Sequence, residues 1–251
     1  MKKTLYDYKD AILALPDKKS YTKEELLIDS LLVEKEGAVS IYYAPHNEYE
    51  NPKAKVFIIG ITPGFQQMNM AISTARKGLV EGKDIAAIQY ECKEAARFSG
   101  AMRKNVISML DEIGLHEVLG IASCTDLFGK EDSLLHTVSL IPYSVFVKGA
   151  NYTGHTPKLL KSEFLMRYIY ESFMAEYEML ANKEDVLLVP LGKAVEEVLL
   201  QLEEESKIGK NQILVGFPHP SGANVNRIPQ LNENKEAMSE FLRHWKDASL
   251  K

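Results

Sequence analysis

Two short segments, roughly 150 residues apart, carry the side chains best placed for chemistry: Val56-Phe57-Ile58-Ile59-Gly60-Ile61-Thr62-Pro63-Gly64 and Ile213-Leu214-Val215-Gly216-Phe217-Pro218-His219-Pro220-Ser221-Gly222. Each is an apolar run that stops abruptly in a Gly/Pro-rich turn, the pattern by which a buried parallel strand delivers a rigid loop to the edge of a sheet. The polar groups so presented are the Thr62 hydroxyl, able to hold a water, and the His219 imidazole with the Ser221 hydroxyl beside it. Other chemistries have less support. Cys92 and Cys124 are the only cysteines and form no Cys-x-x-Cys pair, which argues for two reduced thiols rather than a zinc site or a disulfide framework. His46, His116, His136 and His155 fall in different predicted elements without ligand spacing. No Gly-x-x-x-x-Gly-Lys and no strand-borne Gly-x-Gly-x-x-Gly is present, so neither a metal nor a nucleotide cofactor is expected.

Such loops need a sheet behind them, and the periodicity supplies one. Apolar spacing predicts helices over 68–80 (Met68, Ile72, Ala75 and Leu79 on one side), 84–94 and 102–113, the last stopped at Gly114. A long helix is expected over 159–181, and Gly192-Lys193-Ala194 opens another through Leu202. Strand-like runs lie at 56–59, 118–122, 137–140, 144–148 and 186–191. The first fifty residues read as helical, with Thr22 or Ser20 as a cap before Leu26, Leu27, Leu31 and Leu32, and Asn51-Pro52-Lys53 breaks the chain before the first buried strand. Alternating strands and helices predict an α/β protein whose mostly parallel sheet is covered on both faces. No repeat, low-complexity tract or linker interrupts it, so one domain over 1–251 is expected, with 1–50 as a helical N-terminal extension.

Composition bounds the partners. The 251 residues, 45% hydrophobic and 26% charged, suffice to bury a core, and no apolar run approaches the ~20 residues that span a bilayer. The Met-Lys-Lys start leads into Tyr-Asp-Tyr-Lys-Asp without an apolar h-region, so a cytoplasmic protein without a membrane partner is expected, and a monomer. A net charge of −5 argues against broad nonspecific adhesion to nucleic acid but leaves room for a local basic groove. Arg97, Arg103, Lys104, Lys148, Lys158 and Arg227 cluster near the two loops in sequence order, whereas Glu203-Glu204-Glu205 reads as a solvated face.

From Val56 to Arg227 the chain resembles the uracil-DNA glycosylase superfamily. Gly60-Ile61-Thr62-Pro63-Gly64 is similar to the first motif, whose residue before Pro orients or activates water. Arg97-Phe98-Ser99-Gly100 is similar to the segment whose aromatic ring stacks on the extruded base. Residues 186–194 resemble the strand-to-helix signature before the second motif, and His219-Pro220-Ser221 is similar to that motif itself. The resemblance implies a three-layer αβα sandwich around a central, mostly parallel sheet of four to five strands. It implies Thr62 and His219 as catalytic residues, and a base pocket of Gly60, Ile61, Pro63, Gly64, Phe65, Phe98, Cys124 and Asn151. It further implies DNA contacts from Ser221, Gly222, Asn224 and Arg227, with Val225 or Arg227 as the wedge that fills the vacated stack. Two cysteines exclude the iron–sulfur branch, which needs four.

The expected activity is hydrolytic excision of uracil or another deaminated or damaged base from DNA, without cofactor or metal. A neutral His219 would donate to the departing base, the kind of preorganised aid that often contributes the largest single term. The first motif departs from the family pattern, with Ile61 and Thr62 where relatives carry Asp, Asn or a nearby Glu. Two other readings therefore stand beside the first: a nucleic-acid-binding member with weakened chemistry, and an enzyme acting on a small nucleoside or nucleotide.

Overall fold

The computed structural model describes residues 3–98 and 100–249, so Ser99 of the aromatic segment and the first two residues of the Met-Lys-Lys start lie outside the described residues. In chain order the elements are α1 (Leu5–Leu13), α2 (Lys23–Leu26), β1 (Leu32–Glu36), β2 (Val39–Tyr42), β3 (Val56–Gly60), α3 (Phe65–Val80), α4 (Ile85–Ala96), α5 (Ala101–Glu112) and α6 (Leu115–Leu119). They continue with β4 (Leu135–Ser139), β5 (Ser144–Val147), β6 (Ala150–Asn151), α7 (Glu163–Tyr168), α8 (Met174–Glu178), β7 (Leu187–Pro190), α9 (Lys193–Glu204) and α10 (Arg227–Ser249). This is an α/β protein whose chain gathers into two compact units. The first holds the residues up to Glu50, those from Ile61 to Phe98, and Ser139–Phe173; the second holds Asn51–Gly60, Gly100–Val138 and the residues from Met174 onward.

The second unit contains a three-stranded parallel sheet in the order β4-β3-β7. Val56 to Ile59 pair in register with Leu187 to Pro190, and both runs are buried, as expected of strands covered on both faces. Amphipathic α9 buries Val195, Val198, Leu199 and Leu202 at helical spacing. The parallel sheet is smaller than the four to five strands expected, for two reasons. The run 118–122 is not a strand: α6 extends into it as far as Leu119, and Gly120, in the left-handed conformation, ends the helix there. The apolar run after Gln212 touches the sheet at one point only, where Ile213 bridges Leu188 and the Leu188 carbonyl accepts from the Leu214 N–H at 2.9 Å; Val215 then turns outward and is 51% exposed.

The first unit is built on a four-stranded antiparallel sheet, β1-β2-β5-β6, that the periodicity did not predict. The stretch 32–42, expected as helix, is a hairpin that turns just after Glu36, at Gly37, and Val39 and Ile41 alternate toward the core with Ser40 and Tyr42 half-buried between and beyond them. β5, expected in the parallel sheet, instead pairs antiparallel with β2, Ile41 opposite Val145. Periodicity gives the length of a strand but not its partner, and here the partner lies about a hundred residues away. The helix expected over 159–181 is divided into a 3-10 turn, α7, a π-helical turn (Ile169–Phe173) and α8. Among the described residues no helix is long and apolar enough to cross a membrane.

Candidate active site

In the second unit, β3 and β7 run parallel and end together, the Leu191 N–H donating to the Ile59 carbonyl at 2.9 Å. Gly60, which starts the first motif, and Gly192, which starts α9, therefore stand at the same carboxyl edge of the sheet, where ligands of open α/β sheets bind. The second motif closes on that edge. The Gly192 N–H donates to the Phe217 carbonyl at 3.2 Å, and a Cβ at Gly192 would lie 3.0 Å from the Cβ of His219. Gly192 has φ +88°, so both its backbone and its neighbour ask for glycine.

His219 is half-buried, and burial pushes it below the ordinary imidazole value. Its Nδ1 accepts the Ser221 N–H at 3.2 Å, which places the proton of the neutral ring on Nε2. The side chain is thereby set as a neutral hydrogen-bond donor. The loop that carries it is pinned from several directions: Asn224 Nδ2 donates to the His219 carbonyl at 3.1 Å, and Asn105 Nδ2 on α5 donates to the Pro220 carbonyl at 2.8 Å. Ser221 Oγ accepts the Ala223 N–H at 3.2 Å, while the Arg227 N–H and Nη1 both donate to the Asn224 carbonyl. Ser221 and Asn224, expected at DNA, thus also hold the loop's own shape. Gly222 is exposed, and Val225 is 81% exposed. Asn105 had no sequence signal, since its partner is 115 residues away.

The rest of the first motif belongs to the first unit. Thr62 Oγ1 donates to the Tyr143 carbonyl at 2.5 Å and accepts the Val145 N–H at 3.0 Å, so it staples the motif to β5. Its proton is committed, leaving only a lone pair for a water. Beside it the Ile61 carbonyl accepts the Ile141 N–H at 2.9 Å, Pro63 is buried, and Gly64 caps α3 with its N–H on Gln67 Oε1. Asn151, exposed on β6, reaches this loop: its Oδ1 accepts the Phe65 N–H at 3.1 Å. Gly64, Phe65 and Asn151 are therefore brought together, with the Phe65 ring half-buried. Phe98 is 6% exposed and has φ +45°, a conformation a bulky residue rarely adopts.

Cys124 belongs to the second unit and Asn151 to the first, and Cys124 sits on a turn rather than the strand expected for it. Asp111 clamps that turn, accepting from the Cys124 N–H at 2.6 Å and from Ser123 Oγ at 2.8 Å. Burial alone would raise the Asp111 carboxyl, but these donors hold it below its usual value. The Cys124 thiol is buried and pushed up. An open surface cavity of about 590 Å³ is lined by Lys104, Ile107, Ser108, Asp111, Glu112 and Thr125, and includes none of the residues expected in the base pocket. Among the described residues, no group of three His, Cys, Asp or Glu side chains is placed to hold a metal ion.

The chain is 41% identical over 241 residues to the uncharacterized protein YoxB of Bacillus subtilis (strain 168), covering 96% of this chain and 93% of that protein. No family model and no solved structure matches the chain.

Proposed function

The chain belongs to the family of YoxB, and we propose that it is a DNA base-excision glycosylase, a member of the uracil-DNA glycosylase superfamily built as an αβα sandwich. The observation that carries this reading is His219: a neutral imidazole with its proton on Nε2, seated on Gly192 at the carboxyl edge of a parallel sheet. N-glycosidic cleavage puts positive charge on the sugar and negative charge on the departing base. The electron pair of the C1′–N bond leaves with the base, and Nε2–H donates to the base oxygen where that charge collects. Water supplies hydroxide to C1′, and its remaining proton passes to the base or to solvent. The motif resemblance gives the filling of the vacated stack to Val225, at the exposed tip of the His219 loop, and a water-holding role to Thr62, whose hydroxyl keeps one lone pair. The protein acts in this reading as a cytoplasmic monomer on DNA.

A second reading is favoured by one observation. The Thr62 proton is spent on the Tyr143 carbonyl, and the side chain carries no charge to steady a cationic sugar, so a member that binds the extruded base without releasing it is also chemically consistent. Oligonucleotides bearing a single uracil, hypoxanthine or xanthine, as single strand and duplex, separate the two. Abasic product with any of them supports the glycosylase. Lesion-dependent binding without product supports the binder, and equal binding to lesion and plain DNA, again without product, removes both.

A further inference from the structure

We propose that Lys23 is a specificity-determining residue of a base-docking surface in the first unit, beside Phe65 and Asn151, selecting a nucleobase that presents two carbonyls and an acidic ring N–H, of the xanthine type. The proposal rests on the glycosylase reading only in taking the surroundings of Phe65 and Asn151 as the place where a base docks. Lys23 lies in the N-terminal segment to which the motif resemblance does not extend. Glu25 pairs with Lys18, leaving the Lys23 ammonium with no ion-pair partner among the described residues. Its Nζ donates to the Gly149 carbonyl at 2.8 Å and stands 5.7 Å from the centre of the Phe146 ring and 5.9 Å from that of Phe65. Phe146 in turn is the cross-strand partner of Asn151.

Asn151 makes the second half of the case. Its Oδ1 accepts the Phe65 N–H, which fixes the amide orientation and leaves Nδ2, with its two protons, as the group to be satisfied. Phe65 is thus accompanied by an amide donor and an ammonium donor. A base edge that offers carbonyl oxygens meets both. Adenine or cytosine would turn its exocyclic amine, itself a donor, toward these donors and so pair less well with them. Between carbonyl bases the ammonium decides: uracil and xanthine share two carbonyls, but the fused imidazole of xanthine further acidifies its pyrimidine-ring N–H, so xanthine carries part of a negative charge near neutral pH, and a charge-assisted hydrogen bond is about twice as strong as a neutral one.

The test is calorimetric titration of the full chain with free xanthine, uracil and adenine, for the native protein and for Lys23→Gln and Lys23→Arg, with urea midpoints to establish that each variant is folded. The native protein is expected to bind xanthine about tenfold more tightly than uracil and to bind adenine least. K23Q should lose about tenfold for xanthine while moving uracil by less than about twofold, and K23R should retain most of the preference. Lowering the pH, which returns the proton to xanthine, should erase the preference. The proposal is overturned if K23Q changes both bases equally or neither, if adenine binds as well as xanthine, or if the native protein binds no base. Single-turnover assays on xanthine-containing DNA separate the two readings. Lys23-dependent base binding without abasic product leaves this proposal standing and removes the glycosylase. Abasic product with no Lys23 dependence in base binding does the reverse.

Discussion

Replacing Gly192 by alanine perturbs the support of His219 without touching the imidazole. Two costs arise. At φ +88° and ψ 169° Gly192 occupies a positive-φ extended conformation open essentially to glycine alone, which strains an L-residue by roughly 1–3 kcal/mol. The added methyl would also sit 3.0 Å from His219 Cβ, with His219 Cα and N both at 3.5 Å, so the atoms it meets belong to the root of a side chain and to backbone, which cannot rotate aside. Because Asn224 and Asn105 pin that loop, relieving the contact moves it by a few tenths of an ångström at a further cost of about 1–3 kcal/mol. Gly120, in the same unit, is the milder comparison: at φ +70° and ψ 29° it is left-handed helical, and a Cβ there meets nothing within 4 Å, so G120A carries only the smaller αL strain. Urea denaturation should place G192A about 1–5 kcal/mol below G120A, the sum of its tighter backbone and the methyl contact. If His219 must be placed to within fractions of an ångström, single-turnover excision by G192A should fall by about 10- to 100-fold, with G120A near the native rate. A G192A protein as stable as G120A and fully active would refute the view that this glycine exists to seat His219.

Removing the donor itself, His219→Ala, should lower the single-turnover rate by about 10²- to 10³-fold while lesion binding changes far less. Thr62→Val deletes both bonds to β5 and leaves the Tyr143 carbonyl and Val145 N–H without that partner, so a loss of about 1–3 kcal/mol in urea denaturation is expected; unchanged stability would mean the staple is dispensable. His46 gives a pH dependence with a definite sign. Burial, with a smaller push from Lys93, lowers it from 6.5 to about 3, so the folded chain keeps it neutral while the unfolded chain protonates it. Its contribution is fully present above pH 6.5 and is lost as pH falls from there toward 3, about 3 kcal/mol by pH 4 at roughly 1.4 kcal/mol per pH unit. Urea midpoints measured from about pH 7 to about pH 4 should show this slope in the native protein and a shallower one in His46→Asn.

The Thr62 and His219 loops fared differently because their supports differ. The His219 loop is organised largely by its near neighbours: Ser221, Ala223, Asn224 and Arg227 all bond within the loop or at the start of α10. Thr62 takes its partners from Tyr143 and Val145, 81 and 83 residues on, and those contacts turn a residue that could hold water into one that also holds the loop in place.

What the sequence determined by itself is what neighbouring residues decide: the amphipathic helices α3, α5 and α9, the buried strands β3 and β7, and the Gly/Pro turns that end their runs. Helical spacing, caps and strand-ending turns act over a few residues, so they are written locally. Only the tertiary structure decided which strands pair. It put β5 against β2 rather than into the parallel sheet, made 32–42 a hairpin, and let the Ile213 run touch Leu188 at a single bridge. It also set the chemistry of individual side chains within each unit. The acceptor role of His219 Nδ1, the donor face of Asn151 and the position of Lys23 beside Phe65 each depend on hydrogen bonds and ring contacts made after the chain has folded back on itself. A residue's type is fixed in the sequence, but the direction in which its proton points is fixed by its neighbours in space.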